Sequence, residues 1–147
     1  MPYGRAPELP KIACSSVLET AAEKFVALTW RAGSELAGLR AERDPTLVRH
    51  IYDLHMTRDA YDVKEAATLA HEVMLADAAT RGDSFLAWKK DPLGETLRAV
   101  ESLPRDKVFV DGYATFQRDM VYGEKPDFAA AIATLNTLAD HLKKVSA

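Results

Sequence analysis

The stretch Ser16-Val17-Leu18-Glu19-Thr20-Ala21-Ala22-Glu23-Lys24-Phe25-Val26-Ala27-Leu28-Thr29-Trp30-Arg31-Ala32-Gly33-Ser34-Glu35-Leu36 decides the fold. Leu18, Ala21, Phe25, Leu28, Ala32 and Leu36 recur at steps of three and four, the stripe that one face of an α-helix buries. Ser16 reads as the N-cap, with Glu19 three residues on completing a capping box. Upstream, residues 1–15 hold three prolines and the short run Lys11-Ile12-Ala13-Cys14, and read as an extended lead-in.

The same period returns downstream. Asp44 before Pro45 opens a helix, because aspartate caps free amides and proline is tolerated in a first turn. That helix carries Arg49-His50-Ile51-Tyr52-Asp53-Leu54 and fades near Thr57. Asp62 with Glu65 opens a long helix with the stripe Ala66, Leu69, Val73 and Ala76, stopped at Gly82. Asp91-Pro92 starts another, through Leu97, Val100 and Leu103 to Pro104. Two more run from about Asp106 to Tyr122, stopped by Gly123, and from about Pro126 to Val145, with Phe128, Ile132, Leu135, Leu138 and Leu142 inward.

Residues 38–44 are polar and connective, and only Ile12–Cys14 and Ser84–Trp88 carry an extended pattern. The expectation is an all-α bundle of about six helices, one helical domain over 16–147 behind a lead-in over 1–15. Gly112 interrupts the fifth helix, where glycine costs about 1 kcal/mol against alanine, so it marks a kink or a close crossing.

The 147 residues suffice for one domain with a core, and the apolar (48%) and charged (28%) fractions are ordinary for a globular protein. A net charge of −3 neither requires nor forbids an anionic partner, since binding depends on where charges sit. With Cys14 as the only cysteine there is no internal disulfide and no thiolate zinc cage; a reducing, cytoplasmic setting is the default expectation. The start of the chain lacks the order of a signal peptide, and no apolar run is long enough to span a membrane.

Lys24 and Arg31, seven apart, fall on one helical stripe with only Ala27 between them, which leaves a shallow positive recess. Arg49 and Asp53, four apart, set a guanidinium beside a carboxylate next to Leu47, Ile51 and Leu54. By spacing alone the first pair reads as solvated flank charges and the second as an intrahelical ion pair worth about 0.3–0.5 kcal/mol. Together they also suit a phosphate, because charges at the edge of a core need a partner or a ligand.

The histidines, His50, His55, His71 and His141, form no HExxH or other metal spacing; His50, three before Asp53, reads as a surface residue or as one that orients Asp53. Cys14 reads as a buried thiol, and Tyr113, Phe116 and Met120 as a core stripe rather than a base-stacking platform. No GxSxG, Walker loop or GxGxxG is present.

These residues resemble a known family. Glu19 to Leu28 and on to Arg31, then Arg49-His50-Ile51-Tyr52-Asp53-Leu54, and the C-terminal run from Tyr113 to Gly123 with Phe128, Ala131 and Leu135, are similar to the latter half of AbiEii/AbiGii-type nucleotidyltransferase toxins. The resemblance covers most of the chain from about Ser16. It implies transfer of a nucleotide from an NTP to an RNA acceptor such as tRNA, by the toxin of a toxin-antitoxin or phage-defence pair. Carried over, Lys24 and Asp53 are catalytic, and Lys24, Arg31 and Arg49 contact the triphosphate.

The family also implies Mg²⁺, held by a Gly-Ser pair and a carboxylate motif of its earlier half. Gly33-Ser34 follows the lysine inside a helix and is not that pair, and no metal ligands are evident. The chain is therefore expected to be the C-terminal helical part of a nucleotidyltransferase, a fragment inactive alone. Its expected partners are the NTP, tRNA and an antitoxin protein, with no membrane, and an exposed apolar face would pair two copies as a homodimer. The alternative is a non-catalytic helical interaction module that binds a protein partner or RNA.

Overall fold

The computed structural model describes the backbone of residues 8–146, with side chains from Val17 on apart from Arg81 and Gly82. Seven α-helices make up the fold among these residues: α1 Glu8–Leu36, α2 Val48–Met56, α3 Val63–Arg81, α4 Leu86–Lys90, α5 Pro92–Ser102, α6 Lys107–Met120 and α7 Phe128–Ser146. Single 3-10 turns at Pro45–Leu47, Gly82–Ser84 and Leu103–Arg105 lead into or out of them, and no strand occurs among the described residues.

Three starts follow the expected chemistry. The Asp44 carboxylate accepts from the Thr46 amide at 3.0 Å, that of Asp62 from the Glu65 amide at 2.9 Å, and that of Asp91 from the Gly94 amide at 3.0 Å. Asp106 does the same for Val108 at 3.0 Å and opens α6. Each satisfies an amide that the first turn of a helix leaves free.

Two expectations are corrected. The first helix begins at Glu8 rather than Ser16, so residues 8–15, including Ile12–Cys14, are helical and not an extended lead-in. Pro10 falls in the opening turn, where its missing N–H costs nothing. Residues 1–7 and the side chain of Cys14 lie outside the described residues. The second correction concerns Ser84–Trp88, which is a 3-10 end followed by α4, with Trp88 fully buried and its Nε1–H donating to Thr96 Oγ1 at 3.3 Å.

α1 is the spine, packed against α2, α3 and α5, while α7 lies across α2, α3 and α5 from the other side. Ala21, Phe25, Leu28 and Ala32 of α1 are buried with Ile51, Leu54, Met74, Leu103, Phe109, Tyr113, Leu135 and Leu142. Full burial of a side chain such as Leu28 or Phe25 stabilises the fold by about 1.5–3 kcal/mol. Leu36 and Met120, expected inward, are 50% and 56% exposed. Both stand in the last turn of their helices.

Two glycines have structural reasons. Gly38 takes φ +77° and closes α1, with the Leu39 N–H donating to Ser34 O (2.9 Å) and the Gly38 N–H to Glu35 O (3.0 Å), the double bond of a Schellman motif. Gly112 marks a close crossing: a Cβ there would sit 3.1 Å from the Pro45 carbonyl oxygen and 3.5 Å from Val48 Cγ1. Without that approach the turn before α2 would not lie on α6.

Candidate functional site

Lys24 and Asp53, 29 residues apart, meet across the seam of α1 and α2, with Lys24 Nζ 2.5 Å from Asp53 Oδ2. Both side chains are about one-third exposed, at 29% and 32%. They edge a groove of about 360 Å³ lined by Val17, Thr20, Ala21, Leu54 and Thr57 as well. An ammonium and a carboxylate thus share the mouth of a small, half-apolar recess.

Arg31 lies further along α1, and its partner is Glu35, at 2.9 Å from Nε to Oε2. The Glu35 carboxylate is wholly buried and also accepts from Arg43 Nε at 2.9 Å and from the Asp44 N–H at 3.1 Å. Arg43 in turn reaches Asp106 at the start of α6. Its guanidinium holds its proton more firmly than usual, chiefly through the hydrogen bond to Glu35. This network ties the end of α1, the 38–44 connection and α6 together, and so fixes where α2 starts relative to α1. Only Arg31–Glu35 has a sequence signal, the i,i+4 spacing; Arg43 and Asp106 come from 8 and 71 positions later.

The expected Arg49–Asp53 intrahelical pair is not what the side chains do. Asp53 turns to Lys24, and Arg49 turns toward α6, its guanidinium carbon 5.8 Å from the centre of the Phe116 ring. A cation over an aromatic face is held there electrostatically. Arg49 thereby lines a second groove, of about 520 Å³, whose apolar walls include Pro45, Val48, Val108, Phe116 and Met120. Of the four residues, then, Lys24 and Asp53 are in contact, whereas Arg31 and Arg49 have other partners.

His50 adds a titratable group that spacing reads as a surface residue or as one that orients Asp53. The ring is half-buried, and the charges acting on it are those of Lys24, Asp53, Asp44 and Arg49. Burial first, and the nearby Lys24 ammonium second, hold it below the usual histidine range. Asp44 is also lowered, chiefly by the Thr46 hydroxyl at 2.5 Å, with Arg31 and His50 contributing. His55, one turn beyond, is buried against Thr134 of α7, Nδ1 to Oγ1 2.7 Å, and holds α2 on the core.

The chemistry of the donor set does not fit a resident Mg²⁺. Asp53 is engaged by Lys24 and Glu35 by two arginines and an amide, and among the described residues no three histidine, cysteine, aspartate or glutamate side chains gather where an ion could sit. No helix among the described residues is long and apolar enough to cross a membrane.

The sequence model of the family described as nucleotidyl transferase AbiEii toxin, Type IV TA system, matches residues 2–134. The chain belongs to this family. No curated protein and no solved structure matches it.

Proposed function

We propose that this member of the AbiEii nucleotidyl transferase toxin family supplies the helical, triphosphate-gripping wall of a site that transfers a nucleotide from an NTP to an RNA acceptor such as tRNA. The observation that carries the reading is the Lys24–Asp53 contact at the mouth of the α1–α2 groove. Phosphoryl transfer needs positive charge on the phosphate oxygens and a positioned nucleophile. Lys24 answers the first need and Asp53 the second.

In the resting protein the two satisfy each other. An arriving triphosphate takes the Lys24 ammonium, and the released Asp53 carboxylate orients the acceptor hydroxyl. Arg31, seven residues on along α1, and Arg49, one turn before Asp53 on α2, extend the positive wall, although each must first loosen from Glu35 or Phe116. No step runs through a metal ion on these residues, and this chain by itself does not complete the transfer. The antitoxin, as the partner, and the RNA acceptor are read from the family alone.

The test combines two measurements on the purified chain. Titration with an NTP should show weak binding that Lys24→Ala abolishes and Arg31→Ala reduces; binding unchanged in both variants refutes the phosphate reading. Incubation with Mg²⁺, NTPs and tRNA should give no transfer; robust metal-dependent transfer lost in Asp53→Ala would refute the claim that the chain is inactive alone.

A further inference from the structure

His50 stands one turn before Asp53 on α2, and its Nδ1 is sealed from solvent with no hydrogen-bond partner. Buried polar atoms without partners are few in folded proteins and call for an explanation. Nε2 is not among the sealed atoms, so the exposed edge of the half-buried ring is the one that carries it.

The two neutral tautomers differ in cost here. A buried N–H with no acceptor is the rarer and more expensive orphan, whereas a bare ring nitrogen loses only an acceptor site. The sealed Nδ1 is therefore the unprotonated nitrogen, and Nε2 bears the hydrogen. A second proton would have to go onto Nδ1, inside the protein. Lys24 from α1 and Arg49 from α2 also oppose a positive ring, against Asp53 of α2 and Asp44 of the connection. What His50 offers to solvent at neutral pH is a donor and not a lone pair.

We propose that His50 is a phosphate-binding residue, presenting a neutral Nε2–H one turn along α2 from the Lys24–Asp53 contact to a phosphate oxygen, with its tautomer fixed by the sealed Nδ1. This rests on the phosphate reading of the Lys24–Asp53 groove and goes beyond it in two ways. It adds a residue to the binding set, and it excludes His50 as the base that takes a proton from the acceptor.

The experiment uses inorganic tripolyphosphate as the probe, titrated calorimetrically into the chain at pH 7.5, with long-range ¹H–¹⁵N spectra of the histidines. Expected are the Nε2–H tautomer for His50, affinity about tenfold weaker in His50→Phe, or ~1.4 kcal/mol, and near-complete rescue in His50→Gln, whose amide keeps a donor. A merely structural ring would not be rescued by glutamine. An Nδ1–H tautomer, or wild-type affinity in His50→Phe, overturns this inference alone so long as Lys24→Ala still weakens binding. Absence of tripolyphosphate binding by the wild-type chain overturns both. Loss in His50→Phe with no effect of Lys24→Ala overturns the Lys24 reading and leaves His50 as the anion contact.

Discussion

Replacing Glu35 by glutamine should destabilise the protein far more than its place on a surface-facing helix end implies. The carboxylate is wholly buried and accepts three hydrogen bonds, at 2.9, 2.9 and 3.1 Å. Glutamine keeps the shape and one acceptor oxygen but turns an N–H toward one of two guanidinium donors. Hydrogen bonds to charged groups contribute about 1.5–3 kcal/mol each. Removing one partner of a buried ion pair costs about 3–5 kcal/mol when the other is stranded. Arg31 and Arg43 are 30% and 37% exposed and can turn to water, so the full stranding cost is not reached. The expected loss is therefore about 2–3 kcal/mol.

Urea unfolding followed by circular dichroism measures it. With an m-value of about 2 kcal/mol/M, that loss lowers the midpoint by about 1–1.5 M. A double-mutant cycle of Glu35→Gln with Arg43→Met should give a coupling of at least about 1 kcal/mol. Glu35→Gln unfolding within about 0.5 kcal/mol of wild type, with unchanged helix content, would refute the view that this carboxylate holds the 38–44 connection in place.

The pair at the groove mouth should behave in the opposite way: Lys24→Met ought to change stability by no more than about 1 kcal/mol, because a pair one-third exposed is screened by water, while abolishing NTP binding in the same preparation. Gly112→Ala gains about 1 kcal/mol of helix propensity but forces a methyl against the Pro45 carbonyl, an overpacking cost of about 1–3 kcal/mol, so thermal unfolding should shift down, and further for Gly112→Val; a rise in Tm would disprove the close crossing. His50 and His55 are both held below their ordinary value of 6.5, chiefly by burial. The unfolded chain therefore binds more protons as pH falls through 6.5, and stability should decline from pH 7 toward pH 5. Urea midpoints at the two pH values check this, and a smaller decline in His50→Gln is expected.

Periodicity and caps made much of the fold legible. Asp44, Asp62, Asp91 and Asp106 each open a helix as the residue pattern indicates, because an N-cap is a local device and its partner lies two or three positions on. Local rules failed where the reason was not local. α4 is five residues long, too short for a helical period to show, and is held by the burial of Phe85 and Trp88. The first two turns of α1 carry Pro10 and apolar residues that suit a strand equally well, so an extended reading was natural there.

The site divides along the same line. Lys24, Arg31, Arg49 and Asp53 stand out by spacing and charge as well as by the family resemblance, but the Lys24–Asp53 contact spans 29 residues that no spacing rule bridges. Beyond its spacing from Arg31, Glu35 carries no such signal, because two of its three partners come from the connection after Gly38. His50 shows in the sequence only its distance from Asp53, since the sealing of one ring nitrogen is a product of packing and has no sequence signature.

If the groove takes a phosphate as proposed, the Lys24–Asp53 contact also governs how that anion reaches it. Opposite unit charges 2.5 Å apart form a dipole whose field has largely cancelled by one Debye length, about 10 Å at 0.1 M salt. On the phosphate reading, the pair itself would add little long-range pull on a polyphosphate, and only an anion able to displace a carboxylate from the ammonium would remain. Asp53→Asn would leave a bare cation at the rim, hastening capture and steepening its dependence on ionic strength. On that reading the recess would give up speed of encounter and gain discrimination against weakly charged anions.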